Sequence, residues 1–391
     1  MESSVIFGLL STFITALLVV AFIHPQVMKF AKRRNIVDNP DARKLQRNPV
    51  PVMGGVAVFF GLVAGLCVAT LFFDVNPLLP MFIAISVMLC VGVADDVSSL
   101  SPWLRFAIEI VMVLMMMFAT KMSLNSLHGL WGYWDLPNWI SMPLTVVAVV
   151  GMVNAINLID GVDGLSSGFC ILASLAFGIL FFKVGDITMV LLCLFTIGAL
   201  IPFFFHNVFG IKTKMFIGDG GSLMMGVVMA SYVVTAISSG NLCGQFFAGS
   251  EFGLVPFTLA VMCAPVFDTV RVMTMRILRH TSPFHPDKTH LHHLFIELGF
   301  SHVGTTASVL SLNLIVVLLW YATYKCGASI STQFYVVMVS GILATAGFYK
   351  FMRIQIVQKS AIYHFARRIG HKTHIAEKKG WLVLQKLVDF R

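Results

Sequence analysis

The stretch that decides the fold is WISMPLTVVAVVGMVNAINLIDGVDGLSSGFCILASLAFGILFF, residues 139–182. Its two apolar segments, 139–156 and 165–182, are each close to the roughly 20 residues that an α-helix needs to cross about 30 Å of hydrocarbon. The short segment between them carries carboxylates, carboxamides and glycines. The stretch therefore predicts two membrane-spanning helices joined by a polar loop. The function of the strongly hydrated side chains in that loop has to be explained.

The same apolar pattern extends over most of the 391 residues, of which 58% are hydrophobic and only 12% charged. This composition predicts an all-α fold, a polytopic transmembrane helix bundle with about eleven spans. The predicted spans are residues 4–24, 52–73, 78–94, 104–120, 139–156, 165–182, 188–206, 217–237, 253–272, 307–324 and 330–349.

The basic residues predict an orientation. All of the 27 Lys and Arg except Lys121, Lys183 and Lys325 fall in alternate loops and in the C-terminal tail. Because basic loops stay on the cytoplasmic side, we expect the N-terminus outside and the C-terminus in the cytoplasm. This bias accounts for most of the net charge of +9, so the charge is no sign of nucleic-acid binding.

The chain divides into residues 1–350, a transmembrane catalytic domain with inner-face loops, and residues 351–391, a basic cytoplasmic tail. Within the tail, the segment IAEKKGWLVLQKLVDF, residues 375–390, predicts an amphipathic helix lying on the membrane surface.

Acidic residues, carboxamides and histidines fall in five separate segments that the predicted topology brings to one membrane face. Since that topology used only Lys and Arg, the convergence is an independent signal. The segments are GVADDVSSL with Asp95 and Asp96, NAINLIDGVDGL with Asn154, Asn157, Asp160 and Asp163, FIGDGGSL with Asp219, the end of the ninth span with Asp268 and Arg271, and HPDKTHLHH with His285, His290, His292 and His293.

Carboxylates that converge in this way repel one another, at a cost of about 4 kcal/mol per pair at 4 Å and an effective dielectric near 20. Either protonation or a hard divalent cation could relieve the repulsion. Mg²⁺ bound by one or two carboxylates and by substrate phosphates is the usual form of such a site. The adjacent glycines permit close backbone approach to phosphate oxygens, or else serve as ordinary helix caps.

Together these motifs, with DNPDARKLQRNPVPVMGG near the N-terminus, resemble the polyprenyl-phosphate N-acetylhexosamine-1-phosphate transferases, in the right order from about residue 25 to 305. The histidine segment is most similar to the WecA-type branch. The resemblance implies transfer of GlcNAc-1-phosphate from UDP-GlcNAc to undecaprenyl phosphate. It also implies dependence on Mg²⁺, with Mn²⁺ accepted, and the bacterial inner membrane as the location. The product would be undecaprenyl-diphosphate-GlcNAc, with UMP released, as the first membrane step of a surface polysaccharide such as O-antigen.

The resemblance also implies roles for individual residues. The expected catalytic residues are Asp95, Asp96, Asp160 and Asp163. The expected Mg²⁺ ligand is Asp219, with Asp95 and Asp96 as further candidates, and Asp95 could instead act as a base or orient the lipid phosphate. The expected substrate-binding residues are Lys44, Asn157, Asn207, Phe216, Arg271, His285, His290 and His292. Arg276 is a further candidate for a phosphate contact.

Three alternatives stay open on the sequence. The same chemistry could use another UDP-N-acetylhexosamine or UDP-MurNAc-pentapeptide. A secondary transporter would also carry ionisable residues, but near mid-membrane and often in two repeated halves. A lipid-binding scaffold would not need paired acids beside glycines. Membrane lipids are expected partners, and a homodimer is compatible with the resemblance.

Overall fold

The computed structural model describes residues 3–39, 48–282, 288–376 and 378–389. Within these ranges the protein is almost entirely helical. The α-helices are α1 (Ser3–Arg33), α2 (Gly54–Ala69), α3 (Leu79–Ser98), α4 (Pro102–Thr120), α5 (Asn138–Ile159), α6 (Leu165–Val184), α7 (Ile187–Phe209), α8 (Gly218–Ile237), α9 (Leu242–Phe246), α10 (Leu254–Val261), α11 (Cys263–Leu278), α12 (Leu291–Glu297), α13 (His302–Lys325), α14 (Ile330–Ile342), α15 (Phe348–Gln358), α16 (Ala361–Lys372) and α17 (Lys379–Asp389). Two 3₁₀ turns (Asn76–Leu78 and Leu130–Gly132) and a π-helical turn (Leu343–Gly347) complete the helical structure, and a short antiparallel pair joins β1 (Val37–Asp38) to β2 (Val50–Pro51).

The described residues form nine helices that are long and apolar enough to cross a membrane, or ten if the bent pair α10 and α11 is one span. This confirms the all-α, multi-pass membrane protein, with fewer full-length spans than the eleven predicted. The difference comes from the segment 52–73, where α2 has only 16 residues, or about 24 Å at 1.5 Å per residue. The orientation of the termini stays a prediction.

Helix α8 forms the centre of the bundle, and its most apolar 18-residue window is completely buried. Close backbone contacts at its N-terminal end are made possible by glycines on two neighbours. A Cβ at Gly55 of α2 would lie 2.3 Å from the Gly221 Cα, and a Cβ at Gly92 of α3 would lie 2.4 Å from Gly220. Small residues let membrane helices approach closely. The start of α8 is therefore held against the ends of α2 and α3, where the predicted acids lie.

The bend between α10 and α11 measures 76°. Pro265 lacks the N–H that would donate to the carbonyl of Val261 four residues earlier. The side chain of Asn313 from α13 occupies the break: its Nδ2 donates to the Val261 carbonyl (3.1 Å) and its Oδ1 accepts from the Ala264 N–H (2.7 Å). A broken helix in a membrane needs such replacement partners. The bend directs α11, with Asp268, toward the histidine segment.

The C-terminal region contains the end of one apolar helix and two short helices, and the division of the chain at residue 350 stays a prediction. The apolar helix continues without a gap from α14 through α15 to Gln358, and the two short helices α16 and α17 follow. Helix α17 packs against α7, with the rings of Trp381 and Phe209 4.6 Å apart. The interfacial position of the tail stays a prediction.

Candidate active site

Two adjoining cavities lie where α3 and α5 end and α8 begins. The first, of about 360 Å³, is lined by Asp38 and by four of the predicted acids, Asp96, Asp160, Asp163 and Asp219. The second, of about 320 Å³, shares Asp160, Gly161 and His293 with the first. Segments that are far apart in the sequence thus meet at one end of the bundle. We call these spaces the acidic cavity and the histidine cavity.

Asp96 binds the N-terminus of α8. Its Oδ1 accepts from the Asp219 N–H (3.1 Å) and its Oδ2 from the Gly220 N–H (3.3 Å). The first N–H groups of a helix have no partner within the helix, and the helix dipole favours a negative charge there. Asp96 therefore fixes the backbone that carries Asp219, and its predicted catalytic and metal roles stay predictions.

Asp219 is oriented by Asn157 at the end of α5. The Asn157 Nδ2 donates to the Asp219 Oδ1 (2.7 Å) and to the Ser222 Oγ (2.9 Å). The carboxamide that the resemblance placed at the substrate thus lies against the predicted metal ligand. The hydrogen bonds of Asn157 suit a residue that holds the Asp219 carboxylate in one rotamer.

Asp160 follows the last turn of α5 and accepts a hydrogen bond from the Ser166 hydroxyl. Burial raises the pKa of the Asp160 carboxyl to about 7; the Ser166 hydrogen bond lowers it, and the negative charges of Asp219 and Asp163 raise it. The shift therefore reflects mainly the removal of the Asp160 carboxyl from water, and the neighbouring acids add to it. A bound cation would reverse it.

Asp163 is the one predicted acid of this loop that has basic partners. Its Oδ2 lies 2.6 Å from the Lys214 Nζ and 2.8 Å from the His302 Nδ1. Burial alone would raise the pKa of Asp163, but the His302 hydrogen bond and the Lys214 charge hold it below its ordinary value. The buried Oδ1 has no hydrogen-bond partner among the described residues. Such an oxygen can accept from a ligand or bind a cation.

Asp95 points to a different network. Its Oδ1 accepts from the Leu100 N–H (2.7 Å), and its Oδ2 pairs with the Arg105 guanidinium (3.2 Å). Arg105 also donates to the Asn154 Oδ1 (3.2 Å), and the Asn154 Nδ2 donates to the Glu109 Oε2 (2.6 Å). Asp95 is close enough to Asp219 for their charges to interact. Its contacts suit the orientation of Arg105, which lines the histidine cavity.

The histidine segment is anchored to α11 through Asp268. The Asp268 carboxylate binds Arg271 (2.7 Å), the His290 Nδ1 (2.9 Å) and the Leu291 N–H (3.2 Å), while Arg271 donates to the Thr289 carbonyl (2.6 Å). Arg271, predicted to bind substrate, is only 7% exposed and is occupied by these contacts. It orders the segment that carries the histidines.

His290 and His292 both line the histidine cavity. Because the His290 Nδ1 faces a carboxylate, it donates, and the buried Nε2 is left without a partner among the described residues. Burial lowers the pKa of His292 well below its ordinary value, and the neighbouring His293 and His290 lower it further, so its ring is neutral. Gly161 permits the close packing, since a Cβ there would lie 2.5 Å from the His292 Nε2.

Asn207 and Phe216 both line the acidic cavity. The Asn207 Oδ1 accepts from the Gly164 N–H (2.7 Å) and its Nδ2 donates to the Met215 carbonyl (3.0 Å), so it ties two site loops together. Phe216 is half-buried, with the Lys214 ammonium 5.8 Å from its ring centroid. Lys44 and His285 lie outside the described residues.

Several site residues were not selected from the sequence. They are Arg105, Glu109, Ser166, Lys214 and His302. Glu109 gave a usable signal, because it is the single acid within the predicted span 104–120 and such residues mark functional networks. Lys214 gave none, because a lysine in a predicted cytoplasmic loop is what orientation alone requires. His302 gave none either, because it is a lone histidine outside the histidine segment.

Among the described residues, no group of three or more His, Cys, Asp and Glu is arranged to hold a metal ion by itself. Mg²⁺ does not need such a group, because it keeps several waters and binds one or two carboxylates together with phosphates. The hard oxygen donors of the acidic cavity, including the unpartnered Asp163 Oδ1, fit such an ion.

Comparison with known proteins adds a family. Residues 78–237 match glycosyl transferase family 4. The chain is 32% identical over 300 residues, covering 75% of this chain and 79% of the relative, to the undecaprenyl-phosphate alpha-N-acetylglucosaminyl 1-phosphate transferase of Pasteurella multocida (strain Pm70). It is 32% identical over 301 residues, 75% and 80% of the two chains, to the protein of the same name from Haemophilus influenzae.

A third relative is the probable undecaprenyl-phosphate N-acetylglucosaminyl 1-phosphate transferase of Bacillus subtilis (strain 168), 29% identical over 291 residues, or 74% of this chain and 78% of the relative. The matched region contains Asp96 of α3, the loop after α5 and the start of α8, which line the acidic cavity. The chain therefore belongs to the WecA-type undecaprenyl-phosphate N-acetylglucosaminyl 1-phosphate transferases of glycosyl transferase family 4, and it is a multi-pass membrane transferase.

Proposed function

We propose that the protein transfers GlcNAc-1-phosphate from UDP-GlcNAc to undecaprenyl phosphate, giving undecaprenyl-diphosphate-GlcNAc and UMP. The observation that carries the proposal is the convergence of Asp96, Asp160, Asp163 and Asp219 on one cavity beside Lys214 and His302. A site with several carboxylates and a few basic side chains suits a diphosphate that carries a metal ion better than a diphosphate without one. The names of the relatives support the two substrates.

In this proposal the acidic cavity takes the nucleotide end of the donor. Phe216 offers a ring face for the base, and Asp219, with Asp96 or Asp160 near it, would hold Mg²⁺ or Mn²⁺. The ion supplies the positive charge that screens the two reacting phosphates. Asn157 keeps the Asp219 carboxylate in one orientation before the donor arrives.

The histidine cavity takes the sugar phosphate and the acceptor head group. It combines apolar side chains, Phe106, Leu158 and Met273, with Arg105 and Arg276. This mixture suits a phosphate attached to a long hydrocarbon chain. Asp95 acts here as a positioning residue, because it holds the Arg105 guanidinium.

The chemical step joins the two cavities at Asp160 and Gly161. An oxygen of the acceptor phosphate attacks the β-phosphorus of the donor, a new P–O bond forms, and the bond to the bridging oxygen breaks as UMP leaves with that oxygen and its electron pair. A phosphate monoester is largely dianionic near pH 7, so no base is needed to activate it. Arg105, Arg276 and Lys214 stabilise the charge on the phosphates.

We further propose that the site faces the cytoplasm from the bacterial inner membrane, with the N-terminus outside. The donor is a soluble dianion made in the cytoplasm, and the basic loops favour that side. The priming of O-antigen or a related glycan, and a homodimer, belong to the same proposal. Acids at one end of the bundle, and the family, argue against a transporter.

Removal of the divalent metal should abolish transfer. With the protein in undecaprenyl-phosphate membranes and radiolabelled UDP-GlcNAc, chelation should reduce the label in the lipid fraction to background. Excess Mg²⁺ or Mn²⁺ should restore it. Unlabelled UDP-GalNAc and UDP-MurNAc-pentapeptide serve as competitors that distinguish the donor. Lipid labelling that persists in the chelator would contradict the metal role, and stronger competition by another UDP-sugar would replace UDP-GlcNAc as the substrate.

His290→Ala should raise the KM for UDP-GlcNAc about three- to tenfold, the loss expected for one hydrogen bond to a neutral partner. The reason is that His290 lines the cavity assigned to the sugar phosphate and its buried Nε2 has no hydrogen-bond partner among the described residues. The affinity for UMP, which lacks the sugar, should stay unchanged. His364→Ala, an exposed histidine on α16, is the control. An unchanged KM for UDP-GlcNAc would remove His290 from donor recognition.

A further inference from the structure

The loop of residues 210–216 between α7 and α8 carries two side chains of the proposed donor site, Lys214 and Phe216. Several of its hydrogen bonds come from α17, in the C-terminal tail. Asp389, the last residue of α17, accepts hydrogen bonds at 3.0 to 3.2 Å from the N–H groups of Ile211, Lys212 and Thr213 and from the Thr213 hydroxyl. Successive N–H groups of this kind form a binding site for an anion.

The position of Asp389 is unfavourable for its own helix. A negative charge at the C-terminal end of a helix opposes the helix dipole. The carboxylate therefore contributes nothing to the stability of α17 by itself, and its favourable contacts are those with the loop. The packing of Trp381 on Phe209 holds the same helix beside the loop.

Thr213 joins these contacts to the transmembrane core. Its carbonyl accepts from the His24 Nε2 of α1 (2.9 Å), and its hydroxyl lies 3.0 Å from the His206 Nδ1 of α7. The two imidazole rings are stacked 4.2 Å apart. Thr213, the residue next to Lys214, is thus held by two buried histidines and by Asp389.

The space beside α17 adjoins the proposed donor site. A groove of about 770 Å³ runs between α17 and the loop, and its lining includes Asp163, Phe216 and His302, which also line the acidic cavity. The C-terminal helix therefore forms part of the wall around the proposed nucleotide end.

We infer that Asp389 is a positioning residue for donor binding: through α17 it fixes residues 210–216, so that Lys214 stays at Asp163 and Phe216 stays at the acidic cavity. The inference rests on the proposed donor site. It assigns to the C-terminal tail a role in donor binding rather than only in membrane contact.

The experiment uses the full chain with Asp389→Ala and Asp389→Asn, and measures hydrogen exchange together with kinetics. Asp389→Ala should increase the exchange rates of the Ile211, Lys212 and Thr213 amides at least tenfold. It should raise the KM for UDP-GlcNAc about fivefold, with kcat and the KM for undecaprenyl phosphate within twofold of the parent. Asp389→Asn, which keeps an acceptor oxygen, should give an intermediate result. Thr213→Val should raise the KM for UDP-GlcNAc less when it is combined with Asp389→Ala than when it is made in the parent protein.

Lys386→Gln, which removes an exposed charge one turn earlier on α17, is the matched control and should match the parent. Unchanged amide exchange in Asp389→Ala would overturn the docking of the tail. Faster exchange with an unchanged KM would overturn the positioning role while leaving the proposed function intact. Absence of transfer in the parent protein would instead refute the proposed function, and amide exchange would still report on the docking.

Discussion

Asp219→Asn should reduce kcat by about 10²- to 10³-fold, the loss typical when one group that stabilises transition-state charge is removed. The asparagine keeps the size of the side chain and an oxygen that can accept from the Asn157 Nδ2, so the start of α8 should stay in place. What is lost is the negative charge that would hold Mg²⁺. We therefore also expect the Mg²⁺ concentration for half-maximal activity to rise, measured by titration of the metal-free protein.

Asp186→Asn is the matched control for this substitution. Like Asp219, Asp186 lies at the start of a helix; its side chain caps α7 by accepting from the Met189 N–H (3.0 Å), far along that helix from the site. Asparagine caps helices about as well as aspartate, so turnover and metal response should match the parent. Parental turnover in Asp219→Asn would exclude the carboxylate from the mechanism.

Gly92→Ala should impair both stability and activity. The new Cβ would lie 2.4 Å from the backbone of Asp219 and Gly220, which cannot move aside as a flexible side chain could. Overpacking of this kind costs about 1–3 kcal/mol. Since Asp96 lies one turn further along α3 and binds the start of α8, separation of the two helices should also displace both acids, and we expect at least a tenfold loss of kcat.

Gly151→Ala tests whether the effect of Gly92→Ala comes from the contact. Gly151 also lies within a membrane-spanning helix, α5, but a Cβ there would meet nothing within 4 Å. Alanine is the better helix former, so the melting temperature in detergent should stay the same or rise slightly. Equal losses in the two variants would mean that the close approach of α3 to α8 is not what the glycine provides.

The acids of the site could be found from the sequence because they are rare in an apolar chain. Asp96 and Asp219 stand out in this way, and the positive-inside rule was enough to place them on one side. The hydrogen-bond or ion-pair partner of each acid could not be predicted from the sequence. Asn157 donates to Asp219 and His302 pairs with Asp163, and these pairings depend on how helices from distant parts of the chain pack.

The bundle was predicted in outline for the same reason, since hydrophobic length alone identifies most spans. The bend after Val261 had a visible cause in Pro265, yet the sequence does not say that Asn313 would satisfy the freed carbonyl. The roles of Asp389 and of His24 were beyond reach, because each acts on the loop of residues 210–216 from an end of the chain more than 170 residues away.

The shared wall of the two cavities has a consequence for inhibitor design. Because Asp160, Gly161 and His293 border both spaces, these residues lie between the proposed nucleotide end and the proposed lipid end, and a linker that passes beside them would place one molecule in both cavities. Tethering a uridine fragment to a mimic of the polyprenyl phosphate makes the second contact intramolecular, so the tether can tighten binding by 10²- to 10⁴-fold when its length matches the span. Compounds that bind in only one of the two cavities lack this gain in affinity.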